Sequence, residues 1–399
     1  MHQGIALEWL SHRFELSRGG SAHNVRPMEG MRGFAVFLVF LVHYVTLVKP
    51  WIADEPALLM FSSALHTIGN TGVDLFFVLS GYLIYGSLIS RPQRFLRYMA
   101  RRVERIYPAF VAVFLIYVAL SFVFPAENKI PGALADGIVY LVQNFLLLPG
   151  LFPVEPMITV AWSLSYEMFY YLAIPPVIAL LGLRNRSAIW RVSLFSTMAV
   201  ATAIYCAAVG GHVRLIMFVS GILLYEAINS RTVPTPPGLL GLLALIVGLL
   251  ATLLPVDGAS GFALKISILF VSFFVLCLAC FRDPYAWLPR AFSLTPLRWL
   301  GNMSYSYYLL HGLALKAGFL ALALILPAAN YTGPWLFWTL LPGMFALTLF
   351  PTALLFLAVE RPFSLAPRRA MPSKPSQPLS GIPDTSIQVE SPQSVQRLP

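Results

Sequence analysis

The sequence predicts an all-α, polytopic membrane protein, built as a bundle of about ten transmembrane helices. Hydrophobic residues make up 58% of the 399 residues and charged residues only 11%, whereas soluble domains carry about 25% charged residues. Stretches of about 20 mostly apolar residues, the length that crosses a bilayer, recur along the whole chain. The predicted spans are 33–50, 71–90, 107–124, 161–182, 190–208, 213–230, 238–255, 262–281, 301–326 and 335–358.

The distribution of positive charge predicts the orientation in the membrane. The net charge is +10, and 22 of the 27 Lys and Arg fall on one side of the predicted spans, the side of the N-terminus. This asymmetry is the positive-inside signal, so we expect both termini in the cytoplasm. Because the positive charges are distributed according to the sides of the membrane, we expect membrane lipid, and no nucleic acid, as a partner.

Outside the spans, the sequence predicts a short lead, two long external loops and a tail. Residues 1–26 are polar and lack the apolar core of a signal peptide, so they are predicted to be a cytoplasmic N-terminal lead. The external loops are predicted at 51–70 and 125–160, and an apolar stretch at 138–148 is expected to lie on or dip into the membrane. Residues 27–365 form the predicted transmembrane domain. Residues 366–399 are rich in Pro, Ser and Gln and predict a disordered cytoplasmic tail.

Charged and titratable side chains within the first two spans are the first candidates for a site, because such groups are costly in a bilayer. Arg32 and His43 are eleven residues apart, which places them on the same helix face and about 16 Å apart along the axis. They predict a polar path inward from the cytoplasm. The structural alternatives are a positive-inside anchor at a helix start for Arg32 and an interhelical hydrogen bond for His43. Asp74, with Ser80 near the same face, needs a partner, for which Arg32 and His43 are the candidates. A purely structural ion pair is the alternative.

A basic segment follows the second span. Arg94, Arg97, Arg101 and Arg105 recur at helical spacings of three and four residues and predict one positively charged stripe. The stripe would contact either anionic lipid or a phosphate-rich cytoplasmic ligand, because guanidinium groups match phosphate geometry.

Two later spans carry polar stripes. Ser163, Glu167 and either Tyr170 or Tyr171 share a helix face, and a buried acid there must either pair or shift its pKa. Ser304, Tyr308 and His311 form a second stripe, although His311 could equally be a hydrogen-bonded core histidine. Glu360, just before Pro362, is expected to cap the last helix.

Six motifs in this order resemble the acyltransferase-3 family of bacterial membrane O-acyltransferases, over about 27–362. They are EGMRG with the later His43, GVDLFFVLSGYLI, RRVERIYP, AWSLSYEMFYYL, LGNMSYSYYLLH and VERP. Two departures are visible: Glu29 stands where the family usually has Asp, and Met168 follows Glu167 where many members have a second acid.

The resemblance implies a transmembrane acyltransferase domain in the bacterial inner membrane, with acyl-CoA, most often acetyl-CoA, as donor substrate and a carbohydrate as acceptor. No tightly bound cofactor and no metal are expected. We predict His43 as general base or as a transient acyl carrier, with Asp74 or Glu167 orienting its ring and Arg32 steadying the donor or the developing oxyanion. The predicted substrate-binding residues are Ser80, Arg101, Arg105, Trp162, Ser163, Tyr305 and His311.

Two other classes of protein remain as alternatives at this stage. A transporter or flippase also buries polar groups in a helical bundle, but such proteins often show two matching halves with broken helices, and no such repeat is visible. A purely structural scaffold would not need an inward-facing set of Arg, His, Asp and Glu. Acceptor-dependent release of free thiol from acetyl-CoA discriminates the enzyme from both.

Overall fold

The computed structural model describes residue 8 and residues 11–16 and 22–365, with the backbone alone for 22–25. The predicted tail, 366–399, lies outside the described residues, as does most of the predicted lead. The described chain belongs to one folded unit that ends at Leu365.

The described part of the chain is helical and contains no β-strand, which confirms the predicted all-α class. Its α-helices are α1 Ala22–Leu47, α2 Pro56–Gly69, α3 Thr71–Ser90, α4 Phe95–Val123, α5 Leu134–Phe145, α6 Trp162–Leu180, α7 Ala188–Val209, α8 Ile216–Asn229, α9 Gly238–Ala251, α10 Gly258–Arg282, α11 Trp287–Phe292, α12 Thr295–Asn302, α13 Ser304–Ile325 and α14 Pro334–Leu355. A π-helical turn, Phe356–Leu365, continues α14.

Seven helical segments of the described residues are long and apolar enough to cross a membrane, so the chain is a multi-pass membrane protein. Each of the ten predicted spans coincides with a helix, but α6, α8 and α9 are not among the seven. The last two have 14 residues each, about 21 Å of helix against a hydrocarbon core of about 30 Å. A bundle of about ten helices is therefore compatible with the structure but is not confirmed by it.

Three boundaries differ from the prediction. The prediction of a loop at 51–70 is wrong, because helix α2 occupies most of these residues and leads almost directly into α3. Helix α1 begins at Ala22 rather than near residue 33, so Arg32 lies inside the helix. The predicted loop 125–160 contains α5, which buries Gly137, Tyr140 and Asn144.

Small residues allow the helices around the centre of the bundle to pack closely. A β-carbon on Gly81 would lie 2.2 Å from the carbonyl oxygen of Phe218, and one on Gly221 would lie 2.1 Å from that of Val78. Helices α3 and α8 therefore touch backbone to backbone, the contact that small residues permit between membrane helices. This contact fixes the position of Ser80, the residue beside Gly81.

Candidate active site

A cavity of about 260 Å³ lies inside the bundle, between α1, α3, α4, α6 and α13. Its apolar wall comes mainly from α3, whereas its polar lining is drawn from all five helices. The polar and charged side chains that line it are Arg32, Ser80, Arg102, Arg105, Ser163, Glu167, Tyr171, Ser304, Tyr305 and Tyr308. Most of these residues were predicted from the sequence, and the structure brings them to a single site.

Arg105 is held at the cavity by a buried ion pair. Its Nη1 lies 2.7 Å from Oε1 of Glu360, and the other carboxylate oxygen accepts hydrogen bonds from the backbone N–H and the hydroxyl of Ser306, at 3.0 and 2.7 Å. The guanidinium also lies over the ring of Tyr305. Glu360, predicted as a helix cap, is fully buried and serves as the ion partner of Arg105.

Arg102 is the cavity residue that the sequence reasoning missed. Its guanidinium lies 5.2 Å from the ring centroids of both Tyr98 and Tyr171, and it forms no ion pair with any described residue. Arg101, the residue predicted instead, hydrogen-bonds Gln93, is exposed and does not line the cavity. The spacing of Arg102 to Arg105 is as helical as that of Arg101 to Arg105, so the sequence signal was present but could not say which face turns inward.

Glu167 provides the negative charge of the cavity wall. Its Oε1 accepts hydrogen bonds from the hydroxyl of Ser80, at 3.1 Å, and from Tyr171, at 2.5 Å. Tyr171 rather than Tyr170 therefore completes the predicted stripe with Ser163. No cation among the described residues forms an ion pair with Glu167, although the guanidinium of Arg102 lies over the ring of Tyr171.

Hydrogen bonds of hydroxyl groups join the helices that line the cavity. Arg32 donates from Nε and Nη2 to the hydroxyl of Ser304, at 3.2 and 2.9 Å, and so ties α1 to α13. The hydroxyls of Ser163 and Tyr308 are 2.6 Å apart. Tyr305 donates to the backbone carbonyl of Ile106 at 2.8 Å. These contacts hold the polar lining in a defined geometry.

His43 and His311 form a pair just beyond the cavity, and neither lines it. Their ring centroids are 4.9 Å apart, edge to face. His311 is fully buried; its Nδ1 is 2.8 Å from the carbonyl of Tyr307, and its Nε2 has no hydrogen-bond partner among the described residues. Tyr308, which lines the cavity, also packs near His311 with ring centroids 6.3 Å apart. Tyr308 therefore borders both the cavity and the histidine pair.

Asp74 is paired, but not as predicted. Its Oδ2 accepts a hydrogen bond from Nη1 of Arg214 at 3.1 Å, so the expected partnership with Arg32 or His43 is wrong. Neither Asp74 nor Glu167 contacts His43 in the described hydrogen bonds, so neither orients that ring. Arg214 also lies over Trp162, at 5.7 Å from the ring centroid. The sequence offered one weak signal for Arg214, because few Lys and Arg residues are predicted to lie on the external side and Arg214 is one of them.

These observations first define a class, a helical multi-pass membrane protein with a cationic binding cavity inside the bundle. Comparison with known proteins then makes the assignment specific. The acyltransferase-3 family, described as an acyltransferase domain, matches residues 27–357. The chain belongs to this family and is an acyltransferase, as the six motifs predicted.

Curated relatives carry more specific names. The chain is 26% identical to a protein named peptidoglycan O-acetyltransferase OatA of Listeria monocytogenes, over 61% of this chain and 44% of that protein. It is 27% identical to O-acetyltransferase OatA of Staphylococcus aureus, over 71% of this chain and 49% of that protein. The alignments thus span about half the length of these relatives. No solved structure matches the chain.

Proposed function

We propose that this acyltransferase moves an acetyl group from acetyl-CoA to a hydroxyl of a cell-surface or lipid-linked carbohydrate. The observation that carries the proposal is the convergence of Arg32, Arg102 and Arg105 on one cavity inside the bundle. Coenzyme A carries several phosphates, and guanidinium groups bind phosphate through paired hydrogen bonds. Because the cavity is small, its volume suits the slender pantetheine arm, with the nucleotide held at the mouth.

The names of the relatives support the acyl group and the acceptor class. Both are called O-acetyltransferases, and one name specifies peptidoglycan. The six sequence motifs imply the same chemistry with an acyl-CoA donor. A glycan strand is therefore the acceptor type that agrees with both lines of support.

In the proposed reaction, His43 is the general base. Its imidazole takes the proton from the sugar hydroxyl as that oxygen attacks the thioester carbonyl. The new C–O bond forms, the C–S bond breaks, and the imidazolium returns the proton to the departing thiolate. Arg32, about 16 Å from His43 along the same helix, is too far to contact the reacting carbonyl, so its proposed role is to bind the phosphate-bearing part of the donor. The thioester must pass the ring of Tyr308 to reach the histidine pair.

The orientation follows from the same assignment. We propose that the end of the bundle carrying the arginines of α4 faces the cytoplasm of a bacterial inner membrane, where acetyl-CoA is available. Both termini then lie on that side, in agreement with the distribution of Lys and Arg in the sequence.

The test measures acceptor-dependent release of free thiol. Purified protein in detergent is mixed with acetyl-CoA and bacterial surface glycans, and thiol and acetylated glycan are quantified together. His43→Ala is expected to lower transfer by about a hundred- to ten-thousandfold, the usual size of general-base assistance. His66→Ala, which removes an exposed imidazole from α2, is the matched control and should retain activity.

Normal transfer by His43→Ala would remove His43 from the mechanism, and thiol release without acetylated glycan would exclude the acceptor class. A further measurement separates the two roles of His43. Radiolabelled acetyl-CoA given without acceptor leaves label on the protein only if His43 carries the acetyl group itself.

A further inference from the structure

A second group of charged and aromatic side chains lies close to the cavity but outside its lining. We call it the Arg214 cluster, and it consists of Asp74, Trp162, Tyr166, His212 and Arg214. Arg214 lies over the ring of Trp162, and the hydroxyl of Tyr166 is 2.6 Å from Nδ1 of His212. The proposed reaction does not use any of these contacts.

The Arg214 cluster lies on the side of the cavity opposite the arginines of α4. Helices α3 and α6 run in the same direction, because Phe77 stacks on Tyr166 and Ser80 bonds Glu167 further along both helices. Asp74 precedes Ser80 by six residues, about 9 Å along α3, and Trp162 is the first residue of α6. The basic helix α4 begins shortly after the other end of α3.

The guanidinium of Arg214 uses only one of its nitrogens in hydrogen bonds to described residues. Its Nη1 is shared between Asp74 and the carbonyl of Asn70, at 3.1 and 3.4 Å. Nε and Nη2 have no hydrogen bond to any described residue, and the side chain is partly exposed. Trp162 is also partly exposed and His212 is exposed. The cluster therefore exposes an aromatic ring, that of Trp162, beside the hydrogen-bond donors of Arg214.

Asp74 shows that this arrangement is more than a helix-to-helix tie. The residue is fully buried, and its Oδ1 has no hydrogen-bond partner in the described chain. An unpaired buried carboxylate oxygen costs about 1–3 kcal/mol or more, so packing alone gives no reason to place it there. The charge that it supplies holds the guanidinium of Arg214 at the surface of the cluster.

The Arg214 cluster is connected to the histidine pair through two residues, Ser163 and Tyr308. Ser163 follows Trp162, and its hydroxyl contacts that of Tyr308. Tyr308 lies near His311, which packs on His43. A ligand held at the cluster is thus linked to the proposed base by a continuous series of contacts, and lies on the side away from the donor arginines.

We propose that the Arg214 cluster is the binding site of the carbohydrate acceptor, and this assignment rests on the proposed function for its reaction. The apolar face of a sugar ring packs on the aromatic ring of Trp162, whose large apolar surface suits such a contact. Hydroxyl groups of the same sugar accept hydrogen bonds from Nε and Nη2 of Arg214. His212 contacts the same saccharide from the exposed side. Asp74 is a positioning residue that acts through Arg214.

The test is glycan binding without any donor. Detergent-purified protein is applied to an array of bacterial surface glycans, and acetyl-CoA binding is titrated separately. Arg214→Lys keeps the charge opposite Asp74 but removes the planar fork, and Trp162→Leu removes the platform without touching the ion pair. Each variant is expected to lower glycan binding at least tenfold and to change acetyl-CoA affinity less than twofold.

Arg186 and Trp190 offer a matched control, because the guanidinium of Arg186 lies 5.2 Å from the ring centroid of the exposed Trp190. Arg186→Lys and Trp190→Leu should leave glycan binding unchanged. Wild-type glycan binding by both Arg214→Lys and Trp162→Leu, or no glycan binding by the native protein, would overturn the acceptor site. If the native protein does not bind acetyl-CoA, the donor proposal is refuted instead, so the two failures are distinguishable.

Discussion

Two groups of charged side chains inside the bundle differ in how completely they are paired. Glu226 is bound by Arg191 through two parallel hydrogen bonds, at 2.7 and 2.8 Å, and also accepts from Tyr85 at 2.5 Å. In the cavity, Glu167 accepts only from two hydroxyls, and Arg102 stacks on aromatic rings without an ion pair in the described chain. The first group is saturated, whereas the second retains capacity for a ligand.

The difference suggests how to separate structural from functional charges in a membrane bundle. Charged side chains within a membrane bundle are costly in either group, so their presence there does not by itself identify a site. Arg191 also donates from Nη1 to the carbonyl of Arg186 at 2.7 Å, so its fork is filled by protein partners. A charged group whose hydrogen bonds are left incomplete by the protein is the one that can receive a substrate.

Breaking the saturated pair should have the largest effect, and it should be on stability. Glu226→Ala leaves Arg191 without its carboxylate partner, and removing one member of a buried pair costs about 3–5 kcal/mol. We expect a clearly lower Tm in detergent and little folded protein in the membrane. The double variant Arg191→Leu with Glu226→Leu should recover much of the loss, and unchanged Tm in Glu226→Ala would contradict the structural assignment.

Neutralising the unsaturated acid should affect activity rather than stability. Glu167→Gln keeps a carbonyl oxygen that accepts from Ser80 and Tyr171 but removes the charge from the cavity, so we expect acetyl transfer to fall by at least tenfold with Tm nearly unchanged. Glu104→Gln, an exposed acid of α4, is the control. A large drop in Tm with normal turnover would place Glu167 with Glu226.

Loss of the stacked cation should weaken donor binding. A hydrogen bond to a charged group contributes about 1.5–3 kcal/mol, so Arg102→Gln is expected to reduce acetyl-CoA affinity by roughly ten- to a hundredfold. Titration of acetyl-CoA against the purified protein measures this. Arg97→Gln, from the exposed part of the basic stripe, should have a much smaller effect, and equal losses in both would favour a diffuse phosphate contact over the cavity.

The smallest effect is expected from the hydroxyl that positions Glu167. Tyr171→Phe keeps the ring beneath Arg102 and removes one hydrogen bond, which is worth about 1 kcal/mol, or roughly fivefold in turnover. Steady-state kinetics with acetyl-CoA and the acceptor glycan would detect the change. An effect as large as that of Glu167→Gln would show that the hydroxyl itself takes part in the reaction.

Much of the site was readable from residue spacing. The Ser163–Glu167–Tyr171 face, the Ser304–Tyr308–His311 stripe and the presence of Arg105 at the site required only helical periodicity, because side chains three or four residues apart share a face. The choice between Arg101 and Arg102 was not readable, because both faces of α4 carry arginine and only packing against α3 and α6 decides which one turns inward.

The sequence by itself determined the helical class, the family and the approximate positions of most helices, because apolar stretches and family motifs are local features of the chain. Tertiary structure alone decided the partners: Arg214 rather than Arg32 for Asp74, Glu360 for Arg105, and His311 for His43. These pairs join residues that are far apart along the chain. Such contacts depend on how helices rotate and slide against one another, and periodicity within one helix contains no information about its neighbour.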